Sequence, residues 1–295
     1  MEQNIMDAIK KQILILDGGM GTELIRYGFN QGGCPELWNV EKPNKVKRIH
    51  KSYFDAGSDI ILTNSFGGNK IKLSSYGLEN RSHELNYATA KLANEVKPEE
   101  KFIGGSMGPT GKFLHPQGKY TEEEFVNAFS DQAKALALGK VNFLLIETMY
   151  DIREALCALK GARKVTQLPV FVTMTFNRIP KGFYTMMGNS YEQCLETLEK
   201  EGVPVVGTNC TLNSKDMADL IELMNKKTEL PLIAQANAGQ PTVSSSGEVS
   251  YSQGAEDYVS HIPKMLKNGV KIIGGCCGTT PEYIEKIASI VKSKR

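Results

Sequence analysis

The sequence predicts an α/β protein, a single-domain (β/α)8 TIM barrel spanning residues 1–295. Three observations predict it. Eight short apolar or β-branched runs recur along the chain, each followed by a helical stretch. The runs are continuously apolar rather than alternating, as expected of parallel strands buried on both faces. Eight such units in about 250 residues is the size of this barrel. A doubly wound open sheet is the alternative arrangement of the same units. No Pro/Ser-rich linker or charge block divides the chain.

The elements follow in order. ILILD (13–17) leads through a long loop to a helix from Pro43. SDIILTN (58–64) leads to HELNYATAKLANEV (83–96). FIGGS (102–106) leads to a helix that opens at Thr121, with Glu124 three residues on in a capping-box pattern. NFLLIET (142–148) leads to a helix over 151–165, and PVFVTMT (169–175) to one over 191–202. VPVVGTN (203–209) leads to a helix over 214–227, and PLIAQAN (231–237) to one over 255–269. KIIGG (271–275) leads to the last, 280–294, with Pro281 at an early position. Gly57, Gly139, Gly202 and Gly269 stand where helices end and a left-handed residue is favourable. The connections after the first, third and fifth strands, and residues 238–253, read as enlarged loops.

Composition narrows the function classes. Lys+Arg number 35 against 33 Asp+Glu, with no long basic run, which argues against nucleic-acid or membrane-surface binding. The opening MEQNIMDAIKKQ is polar and lacks the apolar core of a signal peptide. No apolar stretch approaches membrane-spanning length. The expectation is a cytoplasmic protein whose six cysteines are reduced thiols.

In such a barrel the active site lies at the C-terminal ends of the strands. Those ends carry Asp17 (then GGMGTE), Thr63-Asn64, Ser106 (then MGPTG), Glu147, Thr175, Asn209-Cys210, Asn237 and Cys276-Cys277. Cys157 and Cys194 suit small buried apolar positions in helices. Cys210, Cys276 and Cys277 fall on one rim. Adjacent cysteines oppose a disulfide between themselves, and no CxxC motif supports a redox pair. Three converging thiolates suit a soft or borderline cation, foremost Zn²⁺. Cys34 or a histidine is open as a fourth ligand, although no histidine ends a strand. Gly274, Gly275 and Gly278 would let consecutive side chains reach one ion.

An open three-cysteine zinc site suits holding a fourth thiol as a thiolate at neutral pH, where a free thiol of pKa about 8.5 is mostly protonated. The chemistry that follows is thiol alkylation. Asp17-Gly18-Gly19 lacks the P-loop and dinucleotide endings. Its backbone suits a carboxylate, and Asp17 with Glu147 suits an ammonium, which together describe an amino-acid site. Asn64, Ser106 and Asn209 are hydrogen-bonding candidates. Phe66, Phe113, Tyr120, Phe183 and Tyr184 are candidates to cover the site, and His115 is a weak acid–base candidate.

LDGGMGTEL, ILTNSFGGNKIKL, GSMGPTG, IETMYD, GTNC, QANAGQP and GGCCGTTPEYI occur in order over nearly the whole chain. Together they resemble the homocysteine S-methyltransferase family, and within it the homocysteine-binding module of cobalamin-dependent methionine synthase. The resemblance implies a (β/α)8 barrel that methylates homocysteine to methionine, with zinc on Cys210, Cys276 and Cys277. It implies Asp17 and Glu147 at the substrate ammonium, Gly18 and Gly19 at its carboxylate, and Asn237 as a weak fourth ligand before substrate binds. The chain ends just past the eighth helix and has no Asp-x-His-x-x-Gly stretch. The expectation is therefore a methyl group delivered by a separate methyl-corrinoid protein. The alternatives are a small-molecule donor (S-methylmethionine, S-adenosylmethionine or a betaine) or a non-catalytic zinc- or thiol-binding barrel. An excised module of a longer enzyme would carry the same sequence.

Overall fold

The computed structural model describes residues 4–30, 32–243 and 249–293. The strands are β1 (Leu14–Ile15), β2 (Ile60–Leu62), β3 (Phe102–Met107), β4 (Phe143–Met149), β5 (Val170–Met174), β6 (Asn177–Ile179), β7 (Gly182–Tyr184), β8 (Val206–Asn213), β9 (Leu232–Asn237), β10 (Pro241–Val243), β11 (Val249–Tyr251) and β12 (Val270–Gly275). Eight of them form one parallel sheet in the order β1-β12-β9-β8-β5-β4-β3-β2, and a parallel bridge from Leu16 to Ile60 joins its two ends. That closure selects the barrel over the open sheet. The pairs β6–β7 and β10–β11 are antiparallel hairpins in the loops after β5 and β9.

The helices are α1 (Ile5–Lys11), α2 (Met20–Arg26), α3 (Trp38–Glu41), α4 (Pro43–Asp55), α5 (Lys70–Leu73), α6 (Ser82–Val96), α7 (Glu122–Leu138), α8 (Ile152–Arg163), α9 (Tyr191–Lys200), α10 (Ser214–Asn225), α11 (Ala255–Ser260), α12 (Ile262–Lys267) and α13 (Pro281–Lys292). The Thr121–Glu124 capping box at α7 forms in both directions. Pro281 opens α13 behind Thr280. The span 255–269 is two helices rather than one. Pro263 lacks the N–H and obstructs the carbonyl one turn back, so the chain breaks at His261.

The strands bury both faces, and the two faces differ. Outward residues such as Ile61, Ile103, Leu144, Val172 and Ile273 pack against the helices. Inward residues such as Phe102, Phe143, Leu145, Phe171, Ile233 and Ile272 fill the lower barrel. Because side chains alternate with period two, the same inward face continues upward as Ser106, Glu147, Thr173, Asn209, Gln235 and Cys276. Each interior row thus changes from apolar to polar as it climbs, and the polar layer is the floor of the site.

Helix α1 precedes the eight expected strand–helix units. Asn4 caps it by accepting from the Met6 N–H, Asp7 lies in its first turn, and Lys10 and Lys11 lie in its last, in keeping with the helix dipole. Ile5, Ala8 and Ile9 join the lower-barrel cluster and close that mouth. Of the four expected helix-ending glycines, Gly57, Gly202 and Gly269 take positive φ. Gly139 does not; Lys140 does so instead (φ 68°). Gly139 serves close packing, since a Cβ there would stand 2.3 Å from that of Ala90. The enlarged loop 238–253 includes residues 244–248, and the last helical stretch includes Lys294, all outside the described residues. Among the described residues no helix is long and apolar enough to cross a membrane.

Candidate active site

A cavity of about 400 Å³ opens at the C-terminal ends of the strands. Asp17, Gly18, Gly19, Ser106, Glu147, Cys210, Cys276 and Cys277 all line it. The structure therefore brings these eight expected site residues together. β8 runs on past the expected end at Asn209-Cys210 to Asn213, so Asn209 lies within β8 while Asn237 ends β9, and both side chains are held in hydrogen bonds to the cavity wall.

The three cysteines converge. Their sulfurs lie within 4.8 Å of one another, and those of Cys210 and Cys277 are 3.9 Å apart. That is far beyond a disulfide bond of about 2.05 Å. Two sulfurs each about 2.3 Å from a tetrahedral zinc ion stand about 3.8 Å apart, so the donor set fits that ion. Charge points the same way. Contact with the Cys276 and Cys277 thiols lowers the pKa of Cys210, while that same contact and burial push Cys276 and Cys277 up. A first thiolate opposes ionisation of its two neighbours, so three thiolates need a counter-ion. No histidine or carboxylate joins this group among the described residues. Cys34 stands apart, its thiol donating to Glu36 and pushed up to about 12 by burial and the Glu36 charge.

Local backbone aims the sulfurs. Cys210 and Thr211 take left-handed conformations (φ 62° and 59°), and the β8–β9 register shifts between Asn209 and Asn213. This bulge turns Cys210 toward β12. At the other wall, Gly278 takes φ +83°, and a Cβ there would collide with the Tyr251 ring. Gly274 and Gly275 do not use positive φ, contrary to the simple expectation. They allow close approach instead: a Cβ on Gly274 would meet Asp17 O at 2.7 Å, and one on Gly275 the Thr279 hydroxyl at 2.3 Å. Asn237 accepts from the Cys277 N–H at 3.2 Å, and its amide also bonds Cys210.

Beside the sulfurs lie two buried carboxyls. Asp17 Oδ2 accepts from the Leu62 N–H at 2.9 Å, which ties β1 to β2, while Oδ1 is buried without a partner. Burial, with the Glu147 charge, raises its pKa well above the carboxylate range. Glu147 accepts from the Ser106 hydroxyl at 2.5 Å. Burial pushes Glu147 up to about 7 despite that bond, with the Cys210 charge adding to the rise. Gln235 Oε1, also lining the cavity, is a further buried acceptor without a partner. Such a wall is short of a cation.

The turn after β1 differs in one detail from expectation. The Gly19 N–H donates to Thr279, to its carbonyl at 3.0 Å and its hydroxyl at 3.2 Å, so it is not available to a ligand. The first-turn N–H groups of α2, at Met20, Gly21 and Thr22, lack intrahelical acceptors and line the cavity.

Among the expected covering aromatics, Phe66 lines the mouth and is 41% exposed, whereas Phe183 is buried in the core. Phe113 packs on Tyr150 and Tyr120 on Phe125. Tyr184 belongs to the β6–β7 hairpin, and exposed His115 does not line the cavity. Asn64 braces the loop through Asn39 and the Pro35 carbonyl. Sequence reasoning missed Gln235, in the middle of an apolar strand, and Tyr251. Tyr251 lies in the β10–β11 hairpin, bonds Thr22 and packs against Gly278 beside the cysteines. A lone tyrosine in a loop carries no periodic or motif signal.

Comparison with known proteins adds the family. Residues 14–291 match the homocysteine S-methyltransferase family profile. Methionine synthase from Mycobacterium leprae is 28% identical over 309 aligned positions, covering 98% of this chain and 25% of that protein. The chain thus spans about a quarter of the length of that relative. The crystal structure of the homocysteine methyltransferase MmuM from Escherichia coli in its oxidized form superposes with TM-score 0.81 at 22% identity, covering 98% of this chain and 100% of that one. The metallated form gives 0.80 at 23% identity, covering 96% and 98%. At that identity the superpositions show a shared fold. The profile match extends over nearly the whole barrel, and on it this chain belongs to the homocysteine S-methyltransferase family.

Proposed function

We propose that the chain, as one barrel domain over residues 1–295, binds homocysteine and catalyses its methylation to methionine. The observation that carries the reading is the convergence of three cysteine sulfurs beside two buried carboxyls in one cavity. Cys210, Cys276 and Cys277 would hold zinc, which when bound supplies the positive charge that keeps a sulfur ionised at neutral pH. The Escherichia coli homocysteine methyltransferase MmuM, which shares the fold, has a metallated form, which supports a metal here.

The chain's own residues do the rest. Asp17 Oδ1 and Glu147 take the substrate ammonium, which satisfies the orphaned acceptor and returns both carboxyls to their charged forms. Ser106 holds Glu147 toward the cavity. Gly18 and the first turn of α2 offer backbone donors to the substrate carboxylate. Asn237 orients Cys277 and Cys210; its Oδ1 accepts one N–H, which leaves the second lone pair of that oxygen for a weak fourth-ligand role. The substrate sulfur forms the new S–C bond with its lone pair, and the donor departs with the electron pair of the bond that breaks.

The methyl group is proposed to come from a separate methyl-corrinoid protein, in keeping with the likeness to methionine synthase. The test is methionine formation from homocysteine across methylcobalamin, a methyl-corrinoid protein, S-methylmethionine, S-adenosylmethionine and glycine betaine. Turnover with only a small sulfonium or betaine replaces the corrinoid assignment. Binding of zinc and homocysteine without turnover with any donor favours a non-catalytic barrel.

A further inference from the structure

Asn209 precedes the first cysteine, and its amide is completely engaged inside the protein. Its Oδ1 accepts from the Thr148 N–H at 2.7 Å and the Thr173 hydroxyl at 2.8 Å. Its Nδ2 donates to Thr148 Oγ1 at 2.7 Å and Glu147 Oε2 at 3.3 Å. These four bonds exhaust the two acceptor and two donor positions of an amide. The side chain is fully buried, so it contacts the wall rather than a ligand.

What it joins are two strained segments. Thr148 is left-handed (φ 59°) at a register shift between β4 and β5, and Cys210 is left-handed at the shift between β8 and β9. A non-glycine residue in that region is strained and persists only where its surroundings over-determine it. For Thr148 the surroundings are the Asn209 amide, which bonds both its backbone N–H and its hydroxyl. The adjacent Glu147, already inward by the alternation of β4, has its carboxylate held by Ser106 on one oxygen and Asn209 on the other.

We propose that Asn209 is a positioning residue for amino-acid recognition. It clasps the β4 bulge against β8 and so fixes the Glu147 carboxylate at a set place relative to Cys210. This rests on the homocysteine reading above. It assigns Asn209 a role through Glu147 rather than contact with substrate or metal.

The test is calorimetric binding of L-homocysteine and of 4-mercaptobutanoate, which is homocysteine without its amino group, together with zinc content. In Asn209→Asp the shape is kept, but the Nδ2 donor becomes an oxygen facing Glu147. Homocysteine affinity is expected to fall about tenfold or more, the scale of one hydrogen bond to a charged group. 4-Mercaptobutanoate affinity is expected to stay within about twofold, because that ligand makes no use of Glu147, and zinc content to match wild type. Thr173→Val, which removes one bond to Oδ1 without adding charge, is expected to show the same selectivity more weakly. Equal weakening of both thiols, parallel loss of zinc, or unchanged homocysteine affinity would overturn the proposal. If the wild-type protein binds zinc but neither thiol, the homocysteine reading itself fails, and the role of Asn209 fails with it.

Discussion

The sulfurs of Cys210 and Cys277 stand 3.9 Å apart although 67 residues separate them in the chain. β9, lying between β8 and β12 in the sheet, sets that distance, and Asn237 at its end bonds both cysteines. One zinc per chain is the expected content. Cys210→Ser and Cys277→Ser are each expected to leave well under one equivalent after dialysis against a weak chelator, measured by atomic emission. Full zinc in Cys210→Ser would remove that residue from the ligand set.

Metal uptake should release protons. The Cys276 and Cys277 thiols are pushed up and Cys210 is pushed down, so the expected metal-free cluster at pH 7 is one thiolate and two thiols. Binding zinc to three thiolates then displaces about two protons, and affinity should rise roughly a hundredfold per pH unit near neutrality. Calorimetry in buffers of different ionisation enthalpy counts those protons. A count near zero would contradict the single shared charge.

Glu147 gives the substrate site its own pH dependence. Its pKa is raised to about 7, so the empty site is mostly neutral below that value and charged above it. An ammonium binds the charged form, so affinity should increase as pH rises through about 7. Methionine, which keeps the ammonium and has no thiol to ionise, isolates this effect. Glu147→Gln should remove the Glu147 part of the pH dependence, leaving that of Asp17, whose raised pKa should fall once the Glu147 charge is gone, and weaken methionine binding by about 1.5–3 kcal/mol, with zinc content unchanged. Persistence of the same pH profile in the variant would assign it to another group.

The lower mouth should affect stability alone. Ile9 of α1 is fully buried against the barrel interior, at the end opposite the cysteines. Ile9→Ala is expected to cost about 2–5 kcal/mol of unfolding free energy in denaturant titration. Zinc content and homocysteine affinity should match wild type. A small loss would mean that α1 closes the barrel loosely.

Much of this protein was legible in one dimension. Eight apolar runs alternating with helices are enough for the barrel, because parallel strands covered on both sides must be apolar throughout. Cys276 and Cys277 were legible because adjacent thiols among glycines serve little else, and Asp17 and Glu147 because a carboxyl ending an apolar strand is out of place. α1 was overlooked because a single buried turn, Ile5, Ala8 and Ile9, is too short to establish a period. The break at His261 was overlooked because the apolar pattern continues across Pro263.

The sequence by itself determined which residues stand at the strand ends, since strand length and the period of two fix which side chains reach the upper barrel. Only the tertiary structure decided what each does there. Asn209 of β8 and Glu147 of β4 both face inward in the upper barrel, yet Asn209 has all four amide positions bonded inside the wall while Glu147 keeps its carboxylate toward the cavity. Gly19 lies in an expected anion-binding turn, yet Thr279 from the far end of the chain takes its N–H. Tyr251 reaches the cysteines only because a hairpin folds back over Gly278. Hydrogen-bond saturation and close approach are properties of distances between residues far apart in the chain, and those distances exist only once the barrel has closed.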